Sequence, residues 1–229
     1  MMLADWLILF KLSFAFLALF IVAELLYAKA KLAAETTRKI VHIGTGVLTL
    51  LFPIYLQHLW QVILLCSLFF ILLWCSIRFG LLPSINAIER KSYGSLLYPV
   101  IVALVFTFYT YMSFQPLPFS KLLYFYLPVL LMAICDPIAA YAGHYFQKKY
   151  QFTAKKTWGG TLAFLVAAFL LSLLMFGYFN LTVAYPAIVL YALATAILTA
   201  TAERLSSKGW DNFTIPFITA MFLAFISTV

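Results

Sequence analysis

Acidic residues are scarce in this chain. Seven aspartates and glutamates occur in 229 residues, and charged residues of both signs make up only 10%. A soluble domain carries about 25% charge, so a water-facing surface over most of this chain is excluded. Cysteine is sparse too. Cys66, Cys75 and Cys135 lie inside apolar runs, show no metal-ligand spacing and are odd in number, which argues against a disulfide framework. Cys66 and Cys75 read as packing residues. Several catalytic signatures are missing: there is no Walker A loop, no serine elbow, no HExxH and no CxxC. P-loop, serine-hydrolase, zincin and dithiol chemistries therefore lack their usual residues. No repeat or low-complexity linker interrupts the chain, and residues 1–229 read as a single domain.

What fills the chain is hydrocarbon. It is 66% hydrophobic, with many runs near the ~20 residues that a helix needs to cross a ~30 Å apolar core. Continuous runs, rather than short alternating segments, exclude a β-barrel. The fold class expected is all-α, a polytopic integral membrane protein with about eight transmembrane helices. These spans fall near 5–27, 40–57, 59–78, 95–114, 121–146, 159–179, 185–203 and 212–229. Ala28-Lys29-Ala30 looks cleavable. Asp5 at the start and positive charge only after the apolar stretch predict a retained first helix instead.

The basic residues orient this bundle. Lys29, Lys31, Arg38, Lys39, Arg78, Arg90, Lys91, Lys148, Lys149, Lys155, Lys156, Arg204 and Lys208 all fall in odd-numbered loops, leaving only Lys11 and Lys121 elsewhere. The positive-inside rule places those loops in the cytoplasm and both termini on the other side. In a bacterium this is the inner membrane. The net charge of +8 is thereby explained without a nucleic-acid partner. The acids gather at the same end: Glu35, Glu89, Asp136, Glu203 and Asp211 sit in or beside the cytoplasmic helix ends, Glu24 lies near one, and only Asp5 is clearly distant. Carboxylates beside bases at membrane depth point to Mg²⁺, which takes one or two carboxylates plus phosphate oxygens.

Five constellations carry the candidate chemistry. Around Arg38 and His42, spaced to share a helix face, a phosphate-facing cation pair competes with a snorkelling arginine and a histidine bonded to a neighbouring helix. Thr36 or Thr37 is expected to cap that helix, and Gly44, Thr45 and Gly46 to serve helix packing. In Glu89-Arg90-Lys91-Ser92-Tyr93-Gly94, Arg90 and Lys91 are either phosphate contacts or a solvated charge run; Gly94 permits close backbone approach. Asp136 precedes Pro137, and small residues Ala140 and Gly143 follow on its face. A kink capped by aspartate is the bland account, but an acid at this depth is costly enough to favour a metal or base role. Lys155-Lys156-Thr157-Trp158-Gly159-Gly160 opens a span with charge, a hydroxyl and glycine amides, as an anion site does. Topological lysines with packing glycines explain Thr-Trp-Gly-Gly less well. Lastly, Glu203 ends one span and Asp211-Asn212 starts the next, either capping a helix or completing a metal site with Asp136.

Taken together, RKIVH, ERKSYG followed by YP, the Asp136–Ala139–Gly143 run, KTWGG, Glu203 and GWDNFTIP resemble the dolichol kinase and phytol kinase group, over roughly 36–217. That group is distantly similar to phosphatidate cytidylyltransferases, whose longer signature ending in His-Gly-Gly is not visible here. One departure is Cys135, where the group usually has glycine. The resemblance implies a CTP-dependent kinase that transfers a γ-phosphoryl group to a lipid alcohol held in the bilayer. It implies that Lys155, Lys156, Thr157, Gly159 and Gly160 hold the nucleotide, with Arg90, Lys91 and Asn212 contributing. Asp136, Asp211 and Glu203 would hold Mg²⁺, with one of the carboxylates as an alternative base. Arg38 and His42 would face the transferred group. A cytidylyltransferase making a CDP-lipid is the rival enzyme. A transporter of anionic lipid would need polar residues running through to the far side, and the outer halves of the spans are apolar apart from Lys11 and tyrosines.

Overall fold

A computed structural model describes residues 3–88, 92–150 and 156–228, with the side chains of 149 and 150 excepted. The described elements are helices: α1 (Leu3–Ala28), α2 (Ala34–Thr49), α3 (Phe52–Tyr55), α4 (Leu59–Arg78), α5 (Pro83–Asn86), α6 (Gly94–Met112), α7 (Leu123–Leu130), a π segment (Leu131–Cys135), α8 (Asp136–Tyr150), α9 (Trp158–Tyr178), α10 (Tyr185–Leu205) and α11 (Asp211–Ile226). A helix satisfies its backbone within one segment, which an apolar solvent demands. Prolines punctuate the starts: Pro53, Pro83 and Pro186 stand in the first turns of α3, α5 and α10, where a missing N–H costs nothing.

Among the described residues, six helices are long and apolar enough to cross a membrane: α1, α4, α6, the Leu123–Lys148 run through α7 and α8, α9 and α10. The expected second and eighth spans fall on shorter helices. α2 and α11 have 16 residues each, roughly 24 Å at ~1.5 Å per residue against ~30 Å of hydrocarbon. The second helix also starts earlier than expected. The polar stretch from Ala34 to Lys39 is already helical, and the helix breaks before Pro53 rather than running on. Neither threonine caps it: Ala33 is the cap position with no side-chain bond. The Thr37 hydroxyl instead donates to the Ser84 carbonyl at 2.6 Å, tying α2 to α5.

The odd-numbered loops meet at one end of the bundle. Arg38 bonds Ser92, the Tyr93 amide bonds the Lys208 carbonyl, and Lys156 reaches Glu203 and Asp211. The opposite end holds the tight turns, the start of α1 and the end of α11. Phe119 bridges to Asn180, the Trp6 and Trp60 rings pack at 5.9 Å, and the Tyr124 hydroxyl bonds Ser227. The α7–α8 span is the axis: 67% of its apolar window is buried inside the protein, against at most 44% in the other five. Phe125, Leu127, Leu131 and Met132 are wholly enclosed.

Candidate active site

The axial helix is irregular just before Asp136. From Leu131 to Cys135 it widens into a π segment, whose bonds run from each N–H five residues back. In that register the partner of the Met132 carbonyl is Pro137, which has no N–H. The freed carbonyl is taken by His42, whose Nε2 lies 3.0 Å away. A carbonyl only accepts, so Nε2 carries the proton and Nδ1 of the neutral ring is left as an acceptor. Gly46 lets α2 approach closely enough for this bond: a Cβ there would stand 2.3 Å from that of Ala133. The proline thus changes the helical register and creates a docking point for the histidine.

Three carboxylates converge beside that irregularity. Asp136 opens α8, Glu203 closes α10 and Asp211 opens α11, and one oxygen of each lies within 4.8 Å of the others. Lys156 enters the same space. Its Nζ is 2.7 Å from Glu203 Oε1 and 3.4 Å from Asp211 Oδ2, and it also donates to the Glu203 carbonyl. Glu203 is only 7% exposed, a depth at which a carboxylate needs a partner. Asp211 is not the cap of α11. Trp210 holds that position, while Asp211 Oδ1 accepts its neighbour's amide from Asn212 at 3.1 Å and Oδ2 turns to the lysine.

A second knot joins the α2, α6 and α11 starts. Arg38 donates to the Ser92 hydroxyl at 2.7 Å and to the Ile85 carbonyl. The buried Asn212 amide donates to the Gly94 carbonyl at 3.0 Å. Gly209, at φ +85°, crosses the same spot, where a Cβ would come within 2.4 Å of the Gly94 nitrogen. Gly94 therefore does serve close backbone approach. Because Asn212 follows Asp211, the two knots are one residue apart.

Trp158-Gly159-Gly160 begins α9, with Thr157 as its N-cap. Thr157 Oγ1 accepts from the Gly160 amide at 3.1 Å, leaving the earlier amides at the positive end of the helix. Gly160 also lies flat on α8, where a Cβ would meet the Ala139 carbonyl at 2.8 Å and the Gly143 Cα at 3.2 Å. The space beyond Asp136 is thus filled by a second helix, and Ala140, expected on the acid's face, points outward and is exposed. Lys155, Glu89, Arg90 and Lys91 lie outside the described residues. Ser92, Gly209 and Arg204 were not singled out from sequence. Arg204 donates to Thr161 at 3.0 Å and lies 3.6 Å over the Trp158 ring, securing the α9 start to the α10 end. A serine in a charge run and an arginine after Glu203 carry no signal of such partners; the glycine of Lys208-Gly209-Trp210 does hint at a tight turn.

An apolar cleft adjoins the second knot. Arg38, His42, Gly94 and Asn212 line one end of it, and Phe16, Phe52, Leu65 and Cys66 are among its apolar lining.

Fold and site together define an integral membrane protein with a cluster of ionisable groups, at one end of a helical bundle, beside an apolar cleft. Its kinship is more particular. The chain is 33% identical over 208 residues to a phytol kinase of Synechocystis sp., an alignment covering 89% of this chain and 84% of that kinase. It belongs to the dolichol kinase and phytol kinase family of lipid-alcohol kinases. No family model matches the chain, and no solved structure does.

Proposed function

We propose that this protein transfers the γ-phosphoryl group of CTP to the hydroxyl of an isoprenoid alcohol at the cytoplasmic face of the membrane. The observation that carries the reading is the meeting of Asp136, Glu203 and Asp211 with Lys156, next to a cleft with a polar end. Phosphoryl transfer needs positioning and charge neutralisation more than covalent chemistry. The carboxylates are hard oxygen donors from three helices, a set suited to Mg²⁺ rather than to a thiophilic metal. Bound there, Mg²⁺ would neutralise phosphate charge.

The remaining work falls to the chain. Lys156 compensates Glu203 and Asp211, and its ammonium is placed to bind a phosphate oxygen. Thr157 and the Gly159 amide, at the positive end of α9, favour the anion, while the Gly160 amide is held by the Thr157 hydroxyl; Lys155, Arg90, Lys91 and Asn212 are the residues proposed to add further nucleotide contacts. Arg38 orients the transferred group. His42, fixed through Nε2, offers Nδ1 as a proton acceptor for the alcohol, unless one of the carboxylates is the base. The alcohol's tail stays in hydrocarbon, and no step leaves the membrane edge. Eight crossings, the two short helices included, put both termini outside the cytoplasm.

The test is purified protein with γ-labelled CTP or ATP and a panel of isoprenoid alcohols. Phosphorylated alcohol plus CDP is expected. CDP-lipid plus pyrophosphate from a phosphorylated lipid would make it a cytidylyltransferase, and lipid translocation without chemistry would make it a transporter. Orientation has its own check: tags at both termini should be reached by impermeant reagents from outside, and cytoplasmic access would reverse the bundle.

A further inference from the structure

The cleft lies on a seam. α1 packs along α2, and α4 packs along α6; α1 meets α4 through large rings rather than close backbone, Trp6 on Trp60 and Phe16 on Phe69, and α2 makes at most marginal contact with α6. The two pairs are held together from behind by α7 and the π segment. Two helix pairs that part in this way leave space for an apolar chain.

The space is graded. Arg38, His42, Gly94 and Asn212 form its polar end, and Asn212 is adjacent in sequence to Asp211 of the carboxylate cluster. From Arg38 to Thr49 the lining runs roughly 16 Å along α2 at ~1.5 Å per residue, about half of the ~30 Å hydrocarbon thickness. The far end is narrowed by rings. Phe16 packs against Phe52 at 6.0 Å and Phe69 at 5.1 Å, and Phe52 stacks on Phe125 at 6.5 Å. Phe16 and Phe52 are at most 3% exposed and Phe69 is half-buried, so large rings narrow the far end of the slot.

We infer that the seam between the α1–α2 and α4–α6 pairs is the substrate's tail slot, and that the Phe16–Phe52–Phe69 plug limits it to short isoprenoid alcohols. This rests on the lipid-alcohol kinase reading above. The hydroxyl lies at His42 and Arg38, and the tail runs toward Leu65. A tail of farnesol to phytol length takes this path, whereas a long polyprenol meets the plug. A polar head beside the carboxylates and a narrowed tail end favour a substrate over a bystander phospholipid, whose two chains would need a wider groove.

Two measurements test the slot independently. First, geranylgeraniol carrying a diazirine at its tail end is photolysed with the wild-type protein in nanodiscs, and labelled peptides are mapped. Label on the α1, α2 and α4 residues near Phe16, Phe52 and Leu65, displaced by excess phytol, is expected. Label spread over the outward faces of α9 and α10, or a phospholipid in the cleft that phytol does not displace, overturns the slot. Second, turnover is compared across alcohol lengths. Phe16→Ala should raise the polyprenol-to-phytol activity ratio at least tenfold, and Leu65→Trp should lower the phytol-to-farnesol ratio similarly. Ratios unchanged in both folded variants overturn the plug, as does wild-type turnover of long polyprenol equal to that of phytol. Cleft labelling without turnover on any nucleotide would overturn the kinase reading and leave the slot; turnover without cleft labelling would do the reverse.

Discussion

The two ends of the bundle are held by different chemistry. At the basic end, polar side chains reach across elements far apart in sequence: Lys156 to Glu203, Arg38 to Ser92, Asn212 to Gly94, and Ser84 to Glu24. At the other end, rings and local turns do most of the work, with the Tyr124–Ser227 hydroxyl bond as a polar link across elements. Trp6 meets Trp60, Phe119 packs on Phe176 at 5.1 Å, and Asn180 bonds Val183 within one hairpin. Ring packing and local turns can hold a fold without any ligand. Charges converging at membrane depth cost free energy, and that cost is tolerable where binding uses them. The difference assigns stability chiefly to one end and chemistry to the other, and substitutions can break that division.

The largest effect is expected at Asp136. Asparagine keeps the size and one acceptor oxygen but removes the charge. Asp136→Asn should insert and melt normally yet lose phosphoryl transfer by at least ~100-fold, the scale seen when a preorganised electrostatic group is removed. Excess Mg²⁺ should restore little, because the remaining ligands do not fix the ion. Single-turnover assays with matched thermal melts check this. Activity within about tenfold of wild type, ~1.4 kcal/mol in barrier, would reduce Asp136 to a feature of the irregular helix.

Lys156 comes next, and it sharpens the comparison because it serves both states. Its ammonium offsets Glu203 and Asp211. Lys156→Met should weaken nucleotide binding roughly tenfold or more, in line with loss of a charge-assisted contact of about 1.5–3 kcal/mol. The same variant should melt lower than wild type without metal and regain most of the difference in Mg²⁺, since the uncompensated carboxylates then acquire a cation. A melt unaffected by Mg²⁺ would separate the lysine from a metal site. Gly209→Ala should act through geometry alone. The left-handed conformation and the 2.4 Å approach to Gly94 make a cost of about 1–3 kcal/mol reasonable. Activity should fall several-fold as the Asp211 helix start shifts, and a variant with normal turnover would detach that knot from the site.

Much of this arrangement was legible in the chain. Long apolar runs give helices because hydrocarbon leaves the backbone no other partner, and the location of the lysines and arginines brought the odd loops to one end. The three carboxylates were readable as costly residues with a shared depth. What escaped is what depends on the third dimension. Nothing in RKIVH says that His42 meets the carbonyl left bare by Pro137, because His42 and Met132 lie 90 residues apart in sequence and only the packed helices bring them together. Thr37 looks like a cap and is a cross-link to Ser84, since the helix begins a turn earlier than its hydrophobic pattern. KTWGG reads as an anion loop, yet Gly160 is also the flat contact that seats α9 on α8. Helix ends were placed too late for α2 and α11 because hydrophobicity continues past Thr49, where α2 stops ahead of Pro53, and past Ile226, where α11 stops.

The smallest effect is expected at the far end, at Asn180. Its side chain closes the α9–α10 hairpin twice: Nδ2 donates to the Val183 carbonyl and Oδ1 accepts the Val183 amide, both at 2.9 Å. The residue is half-buried and sits in the turn that also pairs with Phe119. Asn180→Ala removes two hydrogen bonds from backbone groups that water can partly reach, so the loss should be about 1 kcal/mol rather than the sum of two full bonds. In a chain of this size that is roughly 2–4 °C in Tm. Turnover below the melt should stay within twofold, because the turn shares no polar contact with Asp136, Glu203 or Asp211. A larger fall in turnover at unchanged stability would show that the hairpin at one end sets the geometry of the carboxylates at the other, and the division of labour between the ends would be wrong.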